Sequence, residues 1–290
     1  MGQIKLGFHN LFRNKGLDES AAWAHQVGFE TFELAAGPGA IVDVSKVLSG
    51  KAGDVRTPCK KNSIEITSLA YCTNHLDPGS RDKNNAHMKK VIEAASQLEV
   101  SLVACFVGGA GGTMYQEMGL FEEHFMPLVD HAKSHGVKMA IENCPAGGSN
   151  IGRSPYFWRE IFTASEDSPN LGLEFDPSHL VWLQIDWKKA LDEFTAKKKV
   201  FTLHAKDTVI NKDVLADRGL YEPGWWEYKI PGLGVIDWKA LFKILKKQGF
   251  SGAINIEHED NAFISGDEKI KEGLLLGLKT LKDGLAASSK

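Results

Sequence analysis

Four short segments of the 290-residue chain end on side chains able to hold a metal ion or move a proton: Ile141-Glu142-Asn143, Glu174-Phe175-Asp176, Leu203-His204 and Ile256-Glu257. Glu142, Asp176 and His204 follow one another at intervals close to the roughly 30 residues of one unit in a repeating βα fold. The step from His204 to Glu257 is one such unit plus an insertion. Three carboxylates and one imidazole brought to a single point repel one another unless a cation lies between them. A divalent metal is therefore implied. The oxygen-rich set with one nitrogen suits Mn²⁺ or Mg²⁺ most naturally, Mn²⁺ first; Co²⁺ and Zn²⁺ can also be accommodated, and a thiolate-type structural zinc is excluded.

Further polar residues are expected at the same place. His179, three residues past Asp176 in Asp176-Pro177-Ser178-His179, can hold a substrate hydroxyl or orient a ligand, or can simply enter a helix. Lys206 follows His204 by two, so strand alternation points both to one side. Its ammonium is suited to a developing oxyanion, the alternative being a rim pair with Asp207. His9, Glu33 and His75 end or follow the first three strand candidates and are read as binders of sugar hydroxyls, and Glu259 as a rim residue. Cys144, beside Glu142, is read as a small buried hydrophobe.

Positioning such a set requires strands that all finish on one face. Apolar runs suited to strands alternate with longer amphipathic stretches along the whole chain. They are Ile4–His9, Phe29–Leu34, Ile64–Ala70, Ser101–Val107, Lys138–Glu142, Gly172–Asp176, Val200–His204 and Ala253–Glu257. Between them lie helical stretches such as Arg81–Leu98, with Met88, Val91, Ile92 and Ala95 at helical spacing. Asp186 and Asp237 stand as N-caps before Trp187 and Trp238, in the same Ile-Asp-Trp-Lys string. Eight βα units predict a single (β/α)8 TIM barrel over residues 1–290, whose reactive groups stand at the C-terminal ends of the strands.

The competing open sheet calls for a Gly-rich phosphate loop after its first strand, where this chain has His9-Asn10-Leu11-Phe12-Arg13. Gly108-Gly109-Ala110-Gly111-Gly112 fits no phosphate-loop pattern and is read as a flexible loop over the barrel mouth. The insertion at about 208–234 carries Tyr221, Trp225, Trp226 and Tyr228. It is read as an aromatic lid, with Trp225 and Trp226 presenting flat faces to a sugar ring.

Composition narrows the partners. A formal net charge of −3 gives no footprint for nucleic acid. No apolar run approaches a membrane span, and the N-terminus lacks the apolar core of a signal peptide, so a cytoplasmic protein is expected. Cys59, Cys72, Cys105 and Cys144 form no C-x-x-C pair and are expected to be reduced. A homo-oligomer is compatible with the sequence.

Together Ile141-Glu142-Asn143, Phe175-Asp176-Pro177-Ser178-His179, Leu203-His204-Ala205-Lys206-Asp207, Ile230-Pro231-Gly232-Leu233-Gly234 with Asp237-Trp238, and Ile256-Glu257-His258-Glu259-Asp260 resemble the xylose isomerase-like TIM barrel superfamily. The similarity is greatest to its sugar phosphate isomerase/epimerase branch. The resemblance implies that Glu142, Asp176, His204 and Glu257 bind one divalent metal, that Glu142 and Glu257 also act as acid and base, and that His179 contacts substrate. The ketohexose epimerases carry a further Glu where this chain has Pro145-Ala146-Gly147-Gly148, and an Arg where it has Thr208-Val209-Ile210. The related endonuclease IV proteins use three zinc ions and an Asp-x-His pair that the insertion lacks.

The expected reaction is metal-dependent proton abstraction next to a carbonyl of a ketose or keto-sugar, giving epimerisation or isomerisation through an enediolate. The alternative is a lyase that eliminates the aglycone of a 3-keto-glycoside. A non-catalytic sugar-binding barrel is the remaining reading, and it predicts no metal dependence.

Overall fold

The computed structural model describes residues 3–10, 12 and 16–288; Leu11 and Arg13 of the segments named above lie outside the described residues. Its strands, in chain order, are β1 (Ile4–His9), β2 (Thr31–Ala35), β3 (Glu65–Ala70), β4 (Leu102–Cys105) and β5 (Lys138–Glu142), then β6 (Leu171–Phe175), β7 (Val200–Ala205), β8 (Asp207–Ile210), β9 (Trp226–Lys229) and β10 (Gly252–Ile256). Eight of them close a parallel barrel in the order β1-β10-β7-β6-β5-β4-β3-β2. The chain is thus a single (β/α)8 TIM barrel, and the eighth barrel strand is β10.

Parallel barrel strands are covered on both sides and therefore run almost continuously apolar. Every residue of β4 and β6 is buried, and Phe8, Phe32, Leu69, Val103, Ile141, Leu173, Phe175 and Ile254 are fully enclosed. Each such large side chain contributes roughly 1.5–3 kcal/mol by leaving water. The helix Arg81–Gln97 turns Met88, Val91, Ile92 and Ala95 inward at the spacing the sequence shows. Asp186 and Asp237 cap their helices by accepting from the backbone N–H of Lys189 and Ala240.

Strand ends differ from expectation where a local turn takes over. Phe29 closes the preceding helix, its N–H donating to the Ala24 carbonyl, so β2 starts only at Thr31. Val107 has left β4, its N–H turning to Asn150 and its carbonyl to the His75 N–H. The loop at Gly108–Gly112 is held down rather than free. Asn74 accepts from the Gly109 N–H and donates to the Gly109 carbonyl, while the Glu117 carboxylate accepts from Ala110 and Gly112. Gly108 itself has φ +88°, and a Cβ there would come within 2.0 Å of Asn74 Oδ1.

The insertion is an antiparallel hairpin of β8 and β9, with the helix Lys212–Arg218 between its strands. The carboxylate of Asp207 is its staple. It accepts from the backbone N–H groups of Thr208, Gly232 and Ile236 and from Trp238 Nε1, at 2.9–3.1 Å. A Cβ at Gly234 would lie 2.2 Å from Asp207 Oδ1, which explains the Pro231-Gly232-Leu233-Gly234 string wrapped around it. With its oxygens so used, Asp207 forms no rim pair with Lys206. Among the described residues no helix is long and apolar enough to cross a membrane.

Candidate active site

Four strands bring their ends together at the C-terminal mouth. Glu142 is the last residue of β5, His204 lies in β7, and Glu257 directly follows β10. Asp176 lies one residue past β6, where it caps the helix Pro177–Trp182 through Oδ1, which accepts from the Ser178 N–H at 2.8 Å. One ligand atom from each of these residues lies within 4.8 Å of the other three. Asp176 Oδ2 and His204 Nδ1 are buried there with no hydrogen-bond partner. His204 Nδ1 stands 3.2 Å from Glu257 Oε2 and 4.0 Å from Glu142 Oε1. Neither atom makes a hydrogen bond, the nearest charged groups, Lys206 Nζ for Asp176 and Glu257 for His204, standing 3.2 Å away, and one divalent cation would serve both while drawing the carboxylates together. The donor set thus fits a metal on the geometry of the chain itself.

The imidazole of His204 is fixed from below. Its Nε2 lies 2.8 Å from Glu33 Oε1, and His9 Nδ1 meets the same oxygen at 2.8 Å, while Ser68 Oγ donates to Glu33 Oε2 at 2.6 Å. A carboxylate only accepts, so His204 carries a proton on Nε2 and turns Nδ1 to the mouth. Burial alone would raise the pKa of Glu33, but His204 and His9 hold it well below the usual range. Glu174, also fully buried and 3.3 Å from His204 Nε2, is pushed well above that range by burial and by the charge on Glu33. Burial opposes charge on His204 too, yet Glu174, Glu257 and Glu33 raise it well above an ordinary histidine. A metal taking Nδ1 would therefore release a proton.

The two glutamates at the mouth are driven apart. Burial and the neighbouring Glu257 push Glu142 up to about 7. Burial works in the same direction on Glu257, but Lys206 and His204 outweigh it and hold that carboxyl well below its usual range. Lys206 is itself buried, and despite that burial its carboxylate neighbours keep it firmly charged. Its Nζ lies 2.5 Å from Glu257, 2.7 Å from Glu259 and 3.2 Å from Asp176.

His179 is oriented by a chain of hydrogen bonds. Trp182 Nε1 donates to the Tyr228 hydroxyl, the hydroxyl lies 2.7 Å from His179 Nδ1, and His179 Nε2 faces Glu142 Oε1 at 3.1 Å. Burial, followed by the nearby Lys206, lowers His179 to about 4. It is neutral, with Nε2–H donating to Glu142 and Nδ1 accepting from Tyr228.

Glu142, His179, His204, Lys206, Tyr228 and Glu257 line a cavity of about 450 Å³, together with Tyr71, Phe106, Cys72, Cys144 and His9. Other sequence expectations come out differently. Glu33 reaches the cavity, but its oxygens are committed to His9, His204 and Ser68 rather than to a sugar. His75 does not reach it. Its ring packs edge-on to Phe125 and its Nδ1 meets Asn85, because the chain turns outward after β3. Trp226 does not line it either, being stacked on Trp182 at 4.5 Å with the rings 2° from parallel. Trp225 is buried, donating to the Leu220 carbonyl, so the pair does not form the expected lid. Tyr228 is the residue of the hairpin that faces the site.

A family model described as xylose isomerase-like TIM barrel matches residues 21–280. The chain belongs to that family. YfiH of Bacillus subtilis (strain 168) is 27% identical over 278 residues, covering 82% of this chain and 87% of that protein. Among solved structures, 3-keto-D-glucoside 4-epimerase (YcjR) from E. coli superposes with a TM-score of 0.73 at 15% identity, over 97% of this chain and all of that one. The IolI protein with a bound zinc atom superposes with a TM-score of 0.72 at 21% identity, over 97% and 98%. At these identities the solved structures share the barrel fold with this xylose isomerase-like chain.

Several residues that build the site escape a reading of the sequence. Asn143 clamps the backbone of Asp176, donating to its carbonyl at 2.8 Å and accepting from its N–H at 2.7 Å. Asn150 donates to the carbonyls of Glu142 and Cys144 while accepting from Val107 and Gly108. Neither pattern has a linear signature. Glu174 and Tyr228 lie in stretches the sequence does single out, Glu174-Phe175-Asp176 and the aromatic insertion, but their contacts with His204 and His179 come only from the fold.

Proposed function

We propose that this xylose isomerase-like barrel is a divalent-metal-dependent isomerase or epimerase that moves a proton next to the carbonyl of a ketose or keto-sugar. The observation that carries the reading is the pairing of two unsatisfied ligand atoms, on Asp176 and His204, with two glutamates whose protonation is driven in opposite directions. The metal, held by Glu142, Asp176, His204 and Glu257, would act as a Lewis acid toward the substrate carbonyl. Mn²⁺ suits this oxygen-rich set best, and Mg²⁺, Co²⁺ and Zn²⁺ are compatible with it.

The chain's own residues supply the rest. One of the two glutamates, Glu257 in the direction that its anionic state favours, removes the C–H proton. Glu142, to which His179 donates, returns a proton from the other side. Lys206 is placed to stabilise negative charge growing on a substrate oxygen. Each positioned acid or base is worth about 10²–10⁴ in rate.

A second reading, elimination of the aglycone from a 3-keto-glycoside, is favoured by the cavity's apolar wall of Ala35, Gly37, Ala40, Tyr71 and Phe106, which offers room for a group beyond the sugar. The neighbour named 3-keto-D-glucoside 4-epimerase supports keto-glycosides as a substrate class to try. Protein loaded with Mn²⁺ and protein stripped with EDTA are mixed in D₂O with ketoses, keto-glycosides and inososes and followed by NMR. Metal-dependent deuterium entry next to the carbonyl is expected, with release of the aglycone marking elimination. A metal-loaded protein that exchanges no proton on any of them would contradict both readings.

A further inference from the structure

We propose that the outside of the barrel carries a second metal site, in which Glu93, His131 and His135 hold a zinc-type dication between two helices. Glu93 lies on the helix Arg81–Gln97, His131 lies on the helix Met126–Ser134, and His135 caps the latter's end. One ligand atom from each of the three lies within 4.8 Å of the other two, and none of the three belongs to the group at the mouth. The site owes nothing to the function proposed above.

Three features distinguish this group from an ordinary surface pair. His131 Nε2 is buried and makes no hydrogen bond, although Glu93 Oε1 is only 3.2 Å away. The two atoms therefore sit side by side rather than donor to acceptor, as two ligands of one ion do. In a tetrahedral zinc site with bonds of about 2.0–2.2 Å, neighbouring ligand atoms stand about 3.3–3.6 Å apart, close to this separation.

The tautomer of His135 is set as well. Its Nδ1 meets the His131 carbonyl at 2.9 Å, and a carbonyl only accepts, so Nδ1 carries the proton and Nε2 keeps its lone pair. The imidazoles stand four residues apart on one helix face, with ring centroids 4.4 Å apart. Ser96 Oγ donates to the His135 carbonyl at 2.9 Å, tying the two helices at the same point.

Two imidazoles and one carboxylate favour Zn²⁺ over Mg²⁺ or Ca²⁺, whereas the mouth is rich in oxygen. Glu93, His131 and His135 are all partly exposed, so the remaining coordination position is open to water. An ion here would clamp the two helices together without touching the reaction.

The test uses the full-length protein, stripped with a chelator and titrated calorimetrically with Zn²⁺ alone. His131→Gln and His135→Gln are each expected to bind one equivalent fewer than the wild-type chain, and the zinc-dependent rise in Tm should shrink with it. His204→Gln should lose the other equivalent and keep this one. Should either histidine variant fold poorly, judged by circular dichroism and Tm without zinc, the half-exposed Glu93→Gln replaces it. Equal zinc stoichiometry and affinity in the wild-type chain and these variants would overturn the proposal.

Discussion

The half of the barrel running from β5 through β10 carries Glu142, Asp176, His204 and Glu257, whereas the half from β1 to β4 contributes none of that set. The first half presents charge: four ligand residues, Lys206 and His179 converge within hydrogen-bonding reach of one another. The second half presents shape and support, with Tyr71 and Phe106 on the cavity wall and Glu33 beneath His204. One side concentrates the chemistry and the other fixes its geometry. The two sides therefore should fail differently when altered.

The largest loss is expected on the charged side. Glu142→Gln and Glu257→Gln should each lower turnover by about 10²–10⁴-fold with the fold intact, as deuterium exchange and circular dichroism would show. A smaller effect belongs to the hairpin joining that side together. Asp207→Ala strands buried donors on Thr208, Ile236 and Trp238, besides freeing the part-buried N–H of Gly232, and should cost about 3 kcal/mol in urea unfolding. Unfolding at the wild-type midpoint would contradict the stapling role.

On the supporting side the effects are smaller and of another kind. Glu33→Gln replaces the carboxylate that holds the His204 imidazole with a neutral amide and should weaken metal binding by about 10–100-fold, with little direct effect on a saturated rate. An equal fall in rate at saturating metal would place Glu33 among the reacting groups and erase the contrast between the halves.

The smallest effect concerns His75, which burial lowers to about 4 although Asn85 partly offsets it. The unfolded chain takes up this proton near the ordinary pKa of about 6.5 and the folded one only near 4, so stability rises with pH through that window and falls on acidification. About 1 kcal/mol should be lost from about pH 7 to about pH 5.5, beyond what His75→Gln loses over the same range.

Legibility in the sequence follows the same division. The barrel and its ligand-bearing strands are readable because strand ends recur at the βα interval and because buried parallel strands are apolar throughout. Helix starts at Asp186 and Asp237 are readable because capping is local. The supporting contacts are not readable, since Asn143 and Asp176, Glu33 and His204, and Asp207 and Trp238 meet only once the barrel closes. Trp226 illustrates the limit: an aromatic in an insertion near the mouth is as able to stack on Trp182 as on a sugar, and only the register of β8 against β9 decides.

The most direct measurement is anomalous scattering from a crystal grown with Mn²⁺. A strong peak bounded by Glu142, Asp176, His204 Nδ1 and Glu257, with Lys206 turned away from at least one of its carboxylates, is the expected result. No peak at the mouth under saturating Mn²⁺, with Lys206 still bridging Asp176 and Glu257, would contradict a metal-dependent site.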